Sequence, residues 1–362
     1  GGDNVAVGFC ALRFGTTASK NSALGSCALY TNTTGDSNVA VGFCALKSNT
    51  TAGGNTAVGF QALDANTTGY SNQALGCGAL GANTTGHSNS GIGESALVAN
   101  TTGFKNIAIG NNTLQTNTTG DYNVAIGHLA LDKNTTANSN VAIGTESLDV
   151  NTTGADNTAV GTNSLGAHTT GTCNAALGSG SGSGITTGIR NTLIGINSGS
   201  NITTGGGNVF VGNAGVAAAV DNNDSIVIGS GTGKGTQTAF INPDGGAVFA
   251  GNNATAFSQT SDKRIKKNIV DNTTGLDKIN QIQVRNFEYK TPEEITEVPS
   301  HAAINKQGIQ LGAIAQEIEL ILPDVVKEES TGVKTVDPSN LTWYMINAIK
   351  ELKAEIDELK KK

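Results

Sequence analysis

The stretch that decides the fold is NTAVGFQALDANTTGYS, residues 55–71, because versions of it follow one another along two thirds of the chain. Numbering its asparagine as position 1, position 4 is aliphatic and position 5 is glycine in fourteen consecutive copies, the last of which begins at Ser225. Self-similarity at a fixed short period is typical of a solenoid, in which each repeat is buried by its neighbours. The position-1 asparagines are Asn4, Asn21, Asn38, Asn55, Asn72, Asn89, Asn106, Asn123, Asn140, Asn157, Asn174, Asn191 and Asn208.

The seventeen-residue period predicts a parallel β-solenoid (β-roll). Helical repeats are longer, and a helix would not tolerate this density of glycine and threonine. We predict two short strands per coil, one over N-x-A-V-G with the aliphatic side chain inward, and one over A-L. Glycine at position 5 would turn the corner with a positive φ, and N-T-T-G would close the coil. Asn and Thr then stack in ladders over roughly 60 Å. The core is thin, which favours several chains packed side by side.

The repeats offer little chemistry. The four histidines (His87, His128, His168 and His301) share no ligand arrangement, so we expect no metal and no cofactor. Asp64, Asp132 and Asp149 share position 10, which we interpret as a solvated edge; paired glycosidase carboxylates have no clear candidate. The net charge of −7 argues against nucleic acid as a partner, and no apolar run is long enough to span a membrane. Cys10, Cys27 and Cys44 stack at one position, and Cys77 and Cys173 fall elsewhere; we interpret all five as small buried fillers rather than a disulfide framework.

Two repeat features admit a second interpretation. Asn32-Thr33-Thr34 and its copies match the N-glycosylation pattern, but acceptors about 5 Å apart could not all carry glycans, so a turn ladder is favoured. The threonine pairs, from Thr16-Thr17 to Thr203-Thr204, are similar to the flat threonine ladders of ice-binding solenoids. Threonine also favours strands and satisfies turn carbonyls, which is the structural alternative.

The composition changes after residue 260. Residues 1–260 hold only seven Lys or Arg, whereas Lys263, Arg264, Lys266 and Lys267 fall within five positions. The tail is expected to be α+β: a helix over 275–282, a strand over 284–289, and a strand followed by a helix over 308–326. At the end, a two-heptad coiled-coil seam is predicted. Its residues are Met345, Ile349, Leu352, Ile356 and Leu359.

SDKRIKKNI at 261–269, LGAIAQEIE at 311–319 and the terminal helix together resemble the C-terminal intramolecular chaperone domain of phage endosialidases, tail spikes and neck appendages, a self-cleaving peptidase family. The resemblance implies a homotrimer whose tail domain directs assembly and is then cut off between Thr260 and Ser261. It assigns Ser261 as nucleophile and Lys266 as its base, with Asp262, Arg264, Gln316 and Glu317 as supporting motif residues. Many relatives have a histidine where this chain has Gln310, which bears on cleavage more than on fold.

The repeats are similar to those of bacterial and phage proteins with a tail-fibre domain and, more distantly, to the β-roll heads of trimeric autotransporter adhesins. We therefore expect a trimeric tail fibre with a shaft (1–229), a neck of short strands in which the repeat register is lost near Pro243 (230–260) and a chaperone domain (261–362). Its partners would be itself, a host-cell receptor of glycan or protein, and a virion baseplate reached through an N-terminal part that this sequence lacks. The expected location is the virion, after assembly in the host cytoplasm. The alternatives are a bacterial surface adhesin and an ice-binding solenoid.

Overall fold

The computed structural model describes residues 1–233, 235–242, 248–250, 266–297, 306–328 and 333–361. The chain divides into two compact units, residues 1–260 and 261–362. The first unit is a parallel β-solenoid of fourteen coils, as the seventeen-residue period predicts.

Each coil of the solenoid contributes one short strand at positions 2 to 4. The strands pair in parallel with a constant offset of seventeen residues, so that Thr56 lies opposite Gln73. The offset falls to thirteen between β15 and β17, where Ile226 lies opposite Ala239, and β18 pairs antiparallel with β17. The repeat register therefore ends before Pro243, earlier than expected. The strands are β1 (Val5–Val7), β2 (Ser22–Leu24), β3 (Val39–Val41), β4 (Thr56–Val58), β5 (Gln73–Leu75), β6 (Ser90–Ile92), β7 (Ile107–Ile109), β8 (Val124–Ile126), β9 (Val141–Ile143), β10 (Thr158–Val160), β11 (Ala175–Leu177), β12 (Thr192–Ile194), β13 (Val209–Val211), β14 (Gly215–Val216), β15 (Ile226–Gly229), β16 (Gly231–Thr232), β17 (Ala239–Asn242) and β18 (Val248–Ala250).

The predicted phase of these strands is wrong. In β4 the small Ala57 at position 3 is fully buried, and Thr56 and the aliphatic Val58 point outward. The interior of the coil is filled instead by alanines at positions 3 and 8 and by the leucine at position 9, such as Leu63, which has no exposed surface. Because this leucine occupies the space that position 4 was predicted to fill, the larger side chain of the strand is left on the outside.

The predicted second strand at A-L is also wrong for most coils. The φ values of Gln61 and Leu63 are +52° and +51°, which is left-handed backbone. The segment therefore turns sharply instead of extending as a strand. Left-handed backbone costs a non-glycine residue roughly 1–2 kcal/mol. Complete burial of each leucine offsets that cost, since it contributes about 1.5–3 kcal/mol. A strand at positions 8 and 9 appears in the thirteenth coil, where β14 pairs with β16.

Glycine at position 5 behaves as predicted, with φ between 101° and 142° in all fourteen coils. A Cβ on Gly59 would lie 2.3 Å from the carbonyl oxygen of Gly76 in the next coil. Both the backbone conformation and the close stacking of coils therefore require glycine here.

Two buried asparagine ladders join the coils. At position 1, Oδ1 of Asn89 accepts hydrogen bonds from the backbone N–H (3.0 Å) and the side-chain amide (3.2 Å) of Asn106. At position 12, the Asn66 amide donates to Oδ1 of Asn49 at 2.9 Å. The position-12 asparagines belong to the N-T-T segments, and their burial and bonding confirm a turn ladder in place of accessible glycan acceptors.

The two threonines of N-T-T differ in their surroundings. The hydroxyl of Thr67 at position 13 donates to the carbonyl of Thr84 in the next coil at 3.0 Å, whereas Thr68 at position 14 is exposed. The same split recurs along the shaft. One exposed threonine column remains, and the neighbouring hydroxyls are committed to the backbone.

The second unit is a small α+β arrangement around a short core. Its elements are α1 (Leu276–Ile279), β19 (Arg285–Phe287), β20 (Gln310–Gly312), α2 (Ala315–Glu319), β21 (Val326–Glu328), β22 (Lys334–Val336) and α3 (Pro338–Leu359), with 3-10 turns at Pro292–Glu294 and Pro323–Val325. Strands β19 and β20 form a two-stranded antiparallel sheet, and β21 and β22 form an antiparallel hairpin. Ile318, Leu322 and Val325 are the buried centre of this core. The predicted order of α1, β19, β20, α2 and the terminal helix is confirmed. The first four of these elements are shorter than expected, and β21 and β22 were not predicted.

Candidate functional site

The predicted cleavage site lies at the start of the second unit. Thr260, Ser261, Asp262 and Arg264 fall outside the described residues. Lys266 is the first described residue of this unit, and it is exposed. The assignment of Ser261 as nucleophile and Lys266 as its base stays a prediction.

The predicted motif residues Gln316 and Glu317 lie on α2, beside the β19–β20 sheet. Glu317 accepts two hydrogen bonds from the guanidinium of Arg285, from Nε at 3.2 Å and from Nη2 at 3.1 Å. Arg285 belongs to β19, so this bidentate pair joins the helix to the sheet. About half of each side chain remains accessible. The sequence analysis did not single out Arg285. It is the one charged residue of β19, and that charge is the feature by which it could have been noticed.

Gln316 borders an open cavity of about 230 Å³ on the same unit. Its polar lining includes Lys290, Glu297 and Lys334. The hydrogen bond from Lys334 to Glu319 raises the pKa of Lys334, so this lysine remains charged at neutral pH. The cavity thus presents two lysines and one carboxylate, together with the hydroxyl of Thr296.

Gln310, which replaces the histidine of many relatives, lies in β20 opposite Phe287. Its side-chain amide donates to the carbonyls of Gln307 (3.3 Å) and Gly308 (2.9 Å) in its own loop. Glutamine in this position binds the turn, and its amide cannot exchange a proton as an imidazole would.

The start of α3 is fixed by charged groups on neighbouring elements. Asp337 caps the helix by accepting from the Ser339 N–H at 2.9 Å, and it also pairs with Lys327 at 2.9 Å. The hydrogen bond from Lys327 holds the pKa of Asp337 below its ordinary value. Tyr344, about two turns further along α3, donates to Asp324 at 2.6 Å. These contacts orient the helix relative to the core of its unit.

Helix α3 has two apolar stripes, and the described part of its unit covers only one of them. Leu341, Tyr344 and Ala348 pack towards α1 and the core, where a Cβ on Gly275 would lie 2.6 Å from the Ala348 nitrogen. The predicted seam forms the other stripe and is exposed along its whole length. The exposed fractions are 41% for Met345, 65% for Ile349, 43% for Leu352, 45% for Ile356 and 70% for Leu359.

Three aspartates of the shaft lie in surroundings other than those predicted. The solvated edge expected for Asp64, Asp132 and Asp149 is wrong, because one carboxylate oxygen of each is buried with no hydrogen-bond partner among the described residues. Burial raises the pKa of Asp64 and Asp149. Asp132 pairs with Lys133 at 2.6 Å. Within the described ranges, no three His, Cys, Asp or Glu residues are placed to hold a metal ion.

The cysteines are reduced, and their burial varies. Cys44 is buried, Cys10 and Cys27 are half-buried, and Cys77 and Cys173 are exposed. The interpretation of all five as buried fillers is therefore wrong for the last two. The described helices include none that could cross a membrane.

Comparison with known proteins bears on the second unit. Residues 261–327 match the family described as chaperone of endosialidase. The chaperone-matching segment begins at the first residue of the second unit and ends in β21, so it includes α1, β19, β20 and α2. No curated protein and no solved structure was found to match this chain.

Proposed function

We propose that this chain is the subunit of a homotrimeric fibre of the phage tail type, with the solenoid as its shaft and residues 261–362 as an intramolecular chaperone. Two features support the proposal: the match to the chaperone of endosialidase, and its position directly after a long β-solenoid. The observation that carries the trimer is the uncovered seam of α3.

The seam has the spacing of a coiled coil, and among the described residues of its own unit no element covers it. Apolar residues on the a and d positions of a helix pack into the facing holes of neighbouring helices. Two heptads are too short to hold chains together alone. Other exposed apolar side chains of the unit, such as Ile309, Leu311 and Leu320, add surface that a trimer would cover; each is at least 75% exposed here.

A shaft of nearly identical coils requires a device that selects the register between chains. Sliding one chain by seventeen residues would exchange each coil for an equivalent one, so slipped and correct pairings differ little in energy. Parallel β structures also form slowly and expose open edges while incomplete. A C-terminal trimer formed first would fix both the number of chains and their alignment.

Release of the chaperone would follow by one self-cleavage. In this scheme the Ser261 hydroxyl oxygen attacks the Thr260 carbonyl carbon, and Lys266 takes up the hydroxyl proton. The peptide C–N bond breaks and leaves an ester, with the former amide nitrogen protonated as an amine. Water then hydrolyses the ester to the Thr260 carboxylate and restores the Ser261 hydroxyl. Loss of the chaperone removes a route to unfolding, which makes the fibre kinetically stable.

The proposed setting is the virion, with the fibre attaching the particle to its host. The partner at the far end would be a cell-surface glycan or protein, and the partner at the near end a baseplate or tail. The expected place of assembly is the host cytoplasm.

The test is expression of the chain without residues 261–362. Because register selection is lost, the shaft should be aggregated or monomeric by light scattering. The matched control is full-length Ser261→Ala, which keeps the chaperone and should be trimeric. A soluble, SDS-resistant trimer from the truncated chain would refute the chaperone assignment.

A further inference from the structure

An aliphatic column runs along the outside of the whole shaft. It consists of the position-4 side chains, one from each strand of the solenoid. Ten of them are 36–55% exposed and four are half-buried. Its members are Val7, Leu24, Val41, Val58, Leu75, Ile92, Ile109, Ile126, Ile143, Val160, Leu177, Ile194, Val211 and Ile228.

Position 2 lies on the same face of the sheet as this column, since side chains alternate along a strand, and position 6 follows directly after the corner glycine. Several flanking residues are also apolar and exposed, including Val5 (60%), Phe9 (78%) and Phe60 (51%). Soluble monomers rarely expose one continuous apolar surface of this length. A cavity of about 440 Å³ interrupts the face beside Val58 and Leu75.

The face is almost free of charge. Among positions 2, 4 and 6 of the fourteen coils, Glu94 is the only Asp, Glu, Lys or Arg, and His128 and Cys77 are the other ionisable residues. Position 17, two residues before the next position 2, differs sharply. It holds six charged residues: Asp3, Lys20, Lys105, Asp156, Arg190 and Asp224.

We propose that this face is the contact between copies of this chain, which pack side by side, parallel and in the same register around an axis along the shaft. The aliphatic column would lie nearest the axis, with position 2 of one chain beside position 6 of the next. The stoichiometry of three rests on the proposed function, whereas the choice of face rests on the burial and charge of the shaft.

The spacing of the face favours an identical partner. Its side chains repeat once per coil, about 4.8 Å apart, over fourteen coils. A parallel copy of this chain carries the same spacing over the same length, so every layer finds a matching layer.

Symmetry also accounts for the missing charges. Around a rotation axis parallel to the shaft, each residue lies level with its own copies. Any charge near the axis would face a like charge, which is destabilising. The one acidic residue, Glu94, lies on a flank and accepts a hydrogen bond from Asn111 of the next coil at 3.2 Å.

The face is long and narrow. Fourteen layers at about 4.8 Å, each about 7 Å wide from position 2 to position 4, give roughly 450 Å² per chain for the strand face alone. A standard interface buries about 800 Å² per partner. We therefore expect the exposed side chains at position 6, beyond the corner, to contribute to the contact as well.

The experiment places one cysteine on the face and one elsewhere on the same coil of the full chain. Ile109→Cys lies on the column, and Thr119→Cys lies at exposed position 14, separated from position 4 by buried positions in both directions along the coil. The background replaces the five native cysteines by serine and carries Ser261→Ala to retain the whole chain. A short bismaleimide is added, and products are separated on a denaturing gel.

Ile109→Cys should give cross-linked chain pairs, whereas Thr119→Cys and the background protein should give none. If light scattering shows a trimer but Thr119→Cys alone cross-links, the chosen face is wrong and the proposed fibre survives. A monomeric background protein would overturn both.

A second measurement uses charge. Ile109→Lys combined with Ile126→Lys should lower the melting midpoint of the trimer by about 5 °C, because lysines from three chains would meet near the axis. Thr119→Lys combined with Thr136→Lys should leave the midpoint unchanged. Equal midpoints for the two pairs, together with absent cross-linking at residue 109, would refute the interface.

Discussion

His168 takes the place of an asparagine in the position-12 ladder: its Nδ1 lies 3.0 Å from Oδ1 of Asn151 in the preceding coil. Its Nε2 lies 3.3 Å from the Asn174 amide, and the ring has no exposed surface. With Nδ1 protonated, the neutral ring donates to Asn151 and accepts from Asn174, so both nitrogens are satisfied. A second proton would place two donors against each other.

The first prediction is a loss of shaft stability in mild acid that depends on His168. Burial lowers the pKa of His168 from 6.5 to about 4. As pH falls through this window the unfolded chain binds a proton and the folded chain does not, so stability decreases. The loss is on the order of 3 kcal/mol per chain by pH 4. Thermal melting between pH 7 and 4 measures it.

His168→Asn is the matched control, because it restores the residue of the neighbouring coils. The variant should lose less stability than the natural protein over the same range. The raised pKa values of Asp64 and Asp149 act in the opposite direction in both proteins and cancel in the comparison. If the melting midpoints of the two proteins fell by the same amount at every pH, His168 would not titrate as described.

The second prediction concerns the corner glycine. Gly59→Ala should destabilise the shaft by several kcal/mol, because φ is 142° and the added Cβ would meet the Gly76 carbonyl at 2.3 Å. Gly15→Ala provides the comparison, since the nearest atom to its Cβ is 3.4 Å away and its φ is ordinary. Denaturant unfolding should separate the two variants. Similar midpoints would mean that the coils can separate at the corner without cost.

The third prediction concerns the cut. The natural protein should release a C-terminal fragment that begins at Ser261, and Ser261→Ala or Lys266→Ala should stay full-length and trimeric. Each substitution removes a proposed reacting group without changing the seam of α3. Lys278→Ala, a basic residue on α1, should cleave normally. Mass spectrometry and N-terminal sequencing identify the fragment, and undiminished cleavage in Lys266→Ala would remove the lysine from the mechanism.

The fourth prediction concerns the seam of α3. Ile349→Asp should convert the uncleaved chain from trimer to monomer or aggregate, because three carboxylates would be buried together in the coiled coil. Lys350→Asp changes the charge at the adjacent exposed residue by more than Ile349→Asp does, and it should leave the trimer intact. Light scattering on the Ser261→Ala background distinguishes them. A trimer in both would place the assembly contact elsewhere in the unit.

The period, the corner glycines and the stacked asparagines could be predicted from the sequence because each is a local constraint that recurs in every coil. The phase of the strands could not. Ala57 and Val58 are both apolar, and the preference for burying the larger side chain favoured Val58. One chain's sequence does not distinguish a residue buried in its own core from one that a second chain covers.

The turn at positions 7 to 9 was missed for a different reason. Leu63 and its equivalents have a left-handed backbone that leucine disfavours, and packing in the coil overrides that local preference. In the tail, the motif match and the order of the segments predicted which helices and strands occur. Arg285 could be identified as the partner of Glu317 only from the structure, in which β19 and α2 lie side by side.

The two asparagine ladders make coils that carry asparagine at positions 1 and 12, such as residues 106–122, interchangeable with their neighbours. If residues 106–122 were removed, Asn123 would follow Asn89 with the same donor and acceptor groups facing each other. A gene of this kind can therefore gain or lose whole repeats by recombination without creating a mismatched junction. The reach of the fibre would then be a heritable quantity that changes in steps of about 4.8 Å, one coil at a time.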